Sequence, residues 1–553
     1  MTGGSPYRAL ARLILTLTTV ALVAGVSHGA LAAPSGQPEA VVDEIQRQVS
    51  SIRGLPVRAS TPVVTLPRAA LVERLSRSIN TDQSIREFLT SQMLLEVLGA
   101  MQRGFDLREL QLRLLTEQTV ALYDFDARSI YLVAEYAASD LGADARLVVA
   151  HELTHALQDQ AFDLKRVLPA EPENSDAATA ARALVEGDAM LTMRIWGRQF
   201  LRPNEKRALG DDAVVADPVL DSAPPLVRGE LLFPYDAGWV FAQLLFQDGG
   251  FAAIDGAFAR PPRSTEQILH PEKYVANEAP VAVEIPPLER ALGGTWVNRR
   301  TDVFGELVLR LLLEPDVGWP TAEAAAAGWG GDAYTILEDA DGRRIVAIVT
   351  VWDTEGDAAE MYNAFVQSIA AHHKGNQQRT IRMPAVARWT VPDYQVQALK
   401  TDNMVRIVYA PDAFTLDRVE MQLGGTAIGP VGPVAPPSTL PGAVPSPPSA
   451  VPSPDAEPGR LSTPVVPSTN GTPVPEGEPG EDEEERPGAP GQNGQPGQPL
   501  PPAEPLRPSG GAPPPANGQR GDDPDQAPTP PAIPTLPRVT PQPVEEEALP
   551  QGD

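Results

Sequence analysis

The sequence predicts an α+β protein: a mostly helical domain with a small edge sheet, then a smaller α+β domain, then a disordered, proline-rich tail. Three observations predict it. Apolar residues recur at helical spacing through 85–98, 142–160 and 176–200. Runs rich in β-formers stand at 120–123 and 129–133, and again at 334–337 and 345–352. At Gly424 the composition changes abruptly, with 36 of the 60 prolines lying beyond it.

Taken in order, residues 1–32 read as an export signal. Arg8 and Arg12 precede an apolar run from Leu13 to Val26, which ends near the small-x-small pattern Ala30-Leu31-Ala32. As a helix that run spans about 21 Å, short of the roughly 30 Å hydrocarbon core, so no membrane anchor is expected after cleavage. The expected location is secreted or within the cell envelope. Residues 33–79 follow as a helical N-terminal segment, and 80–320 as the larger domain. Within it, Val120–Tyr123 and Ser129–Val133 form a hairpin around Asp124–Arg128, helices cover about 142–160 and 176–200, a polar connection reaches about 228, and a helical block continues to about 315.

The region 325–423 reads as a small α+β domain of unknown role. Tyr334–Leu337 and Ile345–Trp352 flank an Asp341-Gly342 turn, Thr354 opens a helix carrying Ala358, Met361, Tyr362 and Phe365, and Trp389, Tyr394–Leu399 and Met404–Tyr409 supply further strands. The tail, 424–553, has no aromatic residue and no lysine, and sets 5 Arg against 17 Asp and Glu. Such a segment cannot bury enough apolar surface to offset its chain entropy, so it reads as a solvated spacer.

Across 553 residues the formal charge is −28 and there is no cysteine. The acidity argues against nucleic acid as a partner. Without thiols, any metal site must use nitrogen and oxygen ligands.

Residues 151–155 read His-Glu-Leu-Thr-His. On a helix, positions i and i+4 project from one face, so His151 and His155 can present two imidazoles to one ion, with Glu152 beside that face as a general base. Ala143–Gln160 contains no proline and carries a long apolar surface, as a buried helix requires. A hydrolytic zinc site wants a third protein ligand. A third histidine at the spacing His-Glu-x-x-His-x-x-Gly-x-x-His is excluded, because residue 158 is Gln and residue 161 is Ala. Glu186, on an apolar stripe with Ala183, Met190 and Met193, is the better candidate, with Asp188 its rival. The competing reading of Glu186 is an i, i+4 ion pair with Arg182. Asp188 and Asp159 are also candidates to orient a histidine ring.

With these motifs the chain resembles the HExxH zincin metallopeptidases of the gluzincin kind, in which a second helix carries a glutamate ligand, and in particular secreted bacterial members. The resemblance spans about residues 80–320. It rests on Val148–Gln160, Ala183–Ala189, Phe233-Pro234-Tyr235 and Pro261–Tyr274, and it departs from thermolysin-like enzymes at Met190 and in the 31-residue step from His155 to Glu186. It implies a zincin-like metallopeptidase domain, Zn²⁺ as cofactor and a peptide or protein as substrate. It further implies that the strand Ser129–Val133 is the edge on which an extended substrate pairs. An oxyanion donor is also required, for which His270, Tyr274 and Tyr235 are candidates. Ser264 and Gln267 fit a helix capping box beside them.

The expected function is thus an exported zinc peptidase, with Glu152 taking a proton from water activated by an ion on His151, His155 and Glu186. The alternative is a non-catalytic cell-envelope binding or scaffolding protein built on the same core.

Overall fold

Elements are described over residues 38–137, 141–169, 172–209, 218–424 and 427–430 of the computed structural model. The expected export signal, and the expected tail beyond Pro430, lie outside the described residues. The first half of the chain is mainly helical: α1 (Pro38–Arg53), β1 (Val63–Leu66), α2 (Arg68–Ile79), α3 (Asp82–Val97), α4 (Leu107–Gln118), the hairpin β2 (Ala121–Asp124) and β3 (Ser129–Val133), α5 (Ala143–Phe162), α6 (Ser175–Phe200) and α7 (Pro225–Ala259). Then come β4 (Val281–Glu284), β5 (Val297–Asp302), α8 (Gly305–Val317), β6 (Trp329–Glu338), β7 (Arg344–Trp352), α9 (Glu355–His372), β8 (Gln378–Met383), β9 (Val386–Thr390), β10 (Gln395–Thr401), β11 (Met404–Ala410), α10 (Ala413–Leu423) and β12 (Ala427–Pro430). Among the described residues no helix is long and apolar enough to cross a membrane.

One core joins α1, α5, α6 and α7 to the hairpin. Helix α1 enters it through Val42, Ile45 and Val49, which repeat along one face and are all but inaccessible. Helices α6 and α7 cross almost backbone to backbone. A Cβ placed on Gly187 would lie 2.0 Å from the Gly238 carbonyl oxygen, and one on Gly238 would lie 2.1 Å from that of Ala183. Side chains larger than hydrogen would drive the helices apart there. Helix α7 breaks at Gly249-Gly250, where Gly250 takes φ 63°.

The second half is a seven-stranded antiparallel sheet in the order β5-β6-β7-β11-β10-β9-β8. Both faces of its centre are covered, so β7 reads as an unbroken apolar run. Val346 and Ile348 meet α3, α8 and α9 on one side, while Ile345, Ala347 and Val349 meet α10 on the other. The Asp341-Gly342 turn and the Thr354 cap form as the spacing predicts, with Gly342 at φ 75° and Thr354 in a complete capping box.

Four expectations are corrected. Ser129–Val133 is not an edge strand: β3 is central, parallel to β1 on one side and antiparallel to β2 on the other. The N-terminal segment 33–79 is not separate, because α1 lies in the first core and β1 pairs with β3. The helical block to 315 contains β4 and β5, and the sheet domain begins with β5 rather than at 325. Its first strand, Val-Asn-Arg-Arg-Thr-Asp, has no apolar alternation to betray it. The tail boundary at 424 also moves, since Ala427–Pro430 pairs antiparallel with Glu284–Val281. Backbone pairing to an open edge needs no apolar pattern, which is why composition missed it.

Candidate metal centre

Helix α5 runs without proline until Asp163, which takes a left-handed conformation at φ 57°. Its middle is buried on every side, so His151, Glu152 and His155 all lie inside the protein. Helix α6 starts at Asn174, whose side chain accepts from the Ala177 N–H at 2.7 Å, and packs Glu186 against α5. The glycine crossing with α7 sets the depth of α6 at that residue.

Three donor atoms converge there. Nε2 of His151 lies 3.0 Å from Nε2 of His155 and 3.1 Å from Oε2 of Glu186, and the third side measures 3.5 Å. Two ligands held at about 2.05 Å from one tetrahedral ion stand about 3.3 Å apart, so the triangle has the size such an ion requires. Glu186 is 1 % exposed and its Oε1 has no hydrogen-bond partner, an orphaned position that a cation would relieve. Burial alone would raise the Glu186 carboxyl, but the charge on His155 and the bond from His151 bring it down to about 2. Burial works against a charge on His155, yet Glu186 holds that ring up at about 9, while burial lowers His151 to about 4. Alone, the protein therefore balances Glu186 with one proton on His155. A divalent cation in its place leaves both rings neutral.

Glu152 is not one of the three. Its Oε2 accepts the Tyr123 N–H of β2 at 2.7 Å, and burial pushes its carboxyl up to about 7 against the pull of His155 and that N–H.

The His155 ring is oriented by a chain of side chains of which sequence reasoning named Asp188 but missed Gln158 and Arg53. Its Nδ1 meets Gln158 Oε1 at 2.8 Å, and the Gln158 amide donates to the Val185 carbonyl at 3.0 Å and to Asp188 at 2.9 Å. Asp188 in turn accepts from Arg53 at 2.7 and 3.0 Å, and Arg53 also reaches Asp255 at 2.6 Å. The spacing of Gln158, three residues from His155 on the same helix, was a usable signal; nothing near Arg53 points to the site. Asp188 thus supports the centre rather than joining it. Asp159 accepts from the Tyr123 hydroxyl at 2.9 Å and from the Leu164 N–H. The Arg182–Glu186 contact ion pair does not form.

Of the three candidate oxyanion donors, Tyr235 is at the centre, its ring centroid 6.4 Å from that of His151. His270 bonds Glu306 at 2.9 Å, and the Tyr274 hydroxyl donates to the Arg260 carbonyl at 3.0 Å. The Ser264 cap accepts from the Gln267 N–H, but the Gln267 side chain accepts from Arg263, so the box is half made.

A cleft of about 1310 Å³ is lined by Phe125, whose ring lies 6.4 Å from that of His155, and by Arg182, one turn before Glu186; the four residues of the centre are not part of its lining. Its far wall is formed by α3 and β5.

No curated protein and no solved structure matches the chain. Residues 292–420 match a family described as a domain of unknown function, DUF8575, a span that takes in the seven-stranded sheet and leaves all four residues of the centre outside it.

Proposed function

We propose that the chain is an exported zinc-dependent peptidase, similar to the gluzincin metallopeptidases, acting on a peptide or protein in the cell envelope or outside the cell. The observation that carries this reading is the triangle of three buried ligand atoms, 3.0 to 3.5 Å on a side, beside a carboxylate that does not belong to it. His151, His155 and Glu186 would hold the ion. Zinc bound there supplies a Lewis acid and lowers the pKa of water toward neutrality. Glu152, with one oxygen fixed by the Tyr123 N–H, would use the other to take a proton from the attacking water and to return it to the departing amine. Tyr235, whose ring lies 6.4 Å from that of His151, would be the donor to the developing oxyanion.

Metal analysis of the purified protein, with a peptide-library digest of wild type and Glu152→Gln, tests the reading. Glu152→Gln keeps zinc and loses turnover by roughly 10²- to 10⁴-fold, because the ligands are spared and the base is removed. His151→Ala and His155→Ala lose most of their zinc. A zinc-loaded wild type that cleaves nothing would instead favour the binding or scaffolding role.

A further inference from the structure

Arg182 lies on the Glu186 helix, lines the cleft, and makes no hydrogen bond or contact ion pair among the described residues, its buried Nε included. Of the other cations of the cleft, Arg299 pairs with Glu338 at 3.0 Å, Arg344 with Glu96 at 2.8 Å, Lys165 with Asp126, and Arg300 donates to Ser91 at 3.1 Å, while Arg86 is exposed to solvent. The acids nearest Arg182 do not neutralise it. Glu186 is turned to the two histidines, and burial pushes the Glu230 carboxyl up to about 7 despite the guanidinium nearby. A mostly buried guanidinium without an anion is costly, and its planar fork is shaped for two parallel bonds to a carboxylate.

We infer that Arg182 binds a carboxylate of the substrate, so that the peptide taken by this cleft carries a negative group close to the bond that is cut. The inference rests on the peptidase reading of the centre. Four residues of helix separate Arg182 from Glu186 by about 6 Å, and an extended peptide advances about 3.3 Å per residue, so the carboxylate falls within roughly two residues of the scissile bond. It is either the C-terminal carboxylate, which would make the protein trim chain ends, or an Asp or Glu side chain. The two sources present the same chemistry to Arg182.

Binding is measured by calorimetry on the full-length, zinc-loaded Glu152→Gln protein, where no turnover intervenes. The probes are acetylated Ala/Leu/Phe heptapeptides, as free acids or C-terminal amides, with or without one Glu. The expected result is that adding Arg182→Gln weakens binding of carboxylate-bearing peptides roughly 10- to 100-fold and leaves the neutral amides unchanged, with Arg182→Lys in between. Loss of the Arg182 effect on amidation assigns the terminal carboxylate; loss on exchanging Glu for Gln assigns the side chain. Equal weakening of neutral and acidic peptides, or none of either, overturns the inference. Zinc content and thermal melting establish that each variant is folded, and Arg182→Lys alone decides if Arg182→Gln is not. Failure of the underlying reading looks different: Arg182-dependent binding persists, but the wild type cleaves none of the peptides it binds.

Discussion

Gln158 fixes the orientation of His155 with a neutral amide, and the amide itself is held because Asp188 and the Val185 carbonyl take both of its hydrogens. Partners of this kind set the tautomer of a ligating ring and typically change metal affinity 10- to 100-fold. Gln158→Ala is expected to weaken zinc by about that factor in a chelator titration, with unchanged helix content by circular dichroism. In the same titration Glu186→Ala should weaken zinc far more than Arg182→Ala; equal and small effects would remove Glu186 from the ligand set. The convergence of His151 and His155, with Glu152 beside them, was legible in the sequence because the three lie within five consecutive positions whose geometry follows from the helix period alone. Glu186 was legible as a carboxylate on an apolar stripe. Arg53 was not, because its role depends on a contact 135 residues away.

At the scale of elements, the crossing of α6 and α7 governs how far Glu186 reaches toward α5. Gly187→Ala puts a methyl group into the Gly238 carbonyl, and overpacking of this kind costs about 1–3 kcal/mol. Urea unfolding should show that loss, and zinc affinity should fall with it, although residue 187 is no ligand. The sheet domain has its own anchor in Asp332, which accepts the Phe304 and Gly305 N–H groups and the Trp329 indole. Burial pushes its carboxyl up to about 6, so the folded state binds this proton more tightly than the unfolded chain does. Its contribution to stability is therefore full below about pH 4 and lost as pH rises through about 6. Relative to Asp332→Asn, which cannot titrate, the wild type should lose about 3 kcal/mol between about pH 3 and pH 7, read as the difference between two unfolding curves. Strands β6 and β7 announced themselves through apolar runs buried on both faces. Strands β4 and β5 did not, since β4 is short and half-exposed and β5 is polar after its first residue, Val297.

At the scale of the whole molecule, the two halves share α8, whose Leu307 and Leu311 face the helical core and whose Leu309 and Leu313 face the sheet. Lys273 adds a polar tie, with its ammonium 2.6 Å from both Glu266 and Asp353 and 2.7 Å from Glu278. The composition break near Gly424 located the end of the apolar pattern but missed β12, which is held by main-chain bonds to β4. Truncation after Pro430 is expected to leave melting temperature and zinc content unchanged. Truncation after Leu423 removes β12, exposes the β4 edge and should lower the melting temperature by a few degrees in calorimetry.

The bond between Arg53 and Asp188 also bears on the order of events during folding. Arg53 closes α1, Asp188 lies 135 residues further along and Asp255 202 residues from Arg53, so this contact forms only after very long loops have closed. The Gln158 amide that meets His155 is itself bonded to Asp188, so the full support of the ring waits on the same long-range contact. Capture of the proposed zinc ion should therefore appear as a late kinetic phase in refolding, after most helical signal has returned, which would make metal uptake a clock for completion of the fold rather than its nucleus.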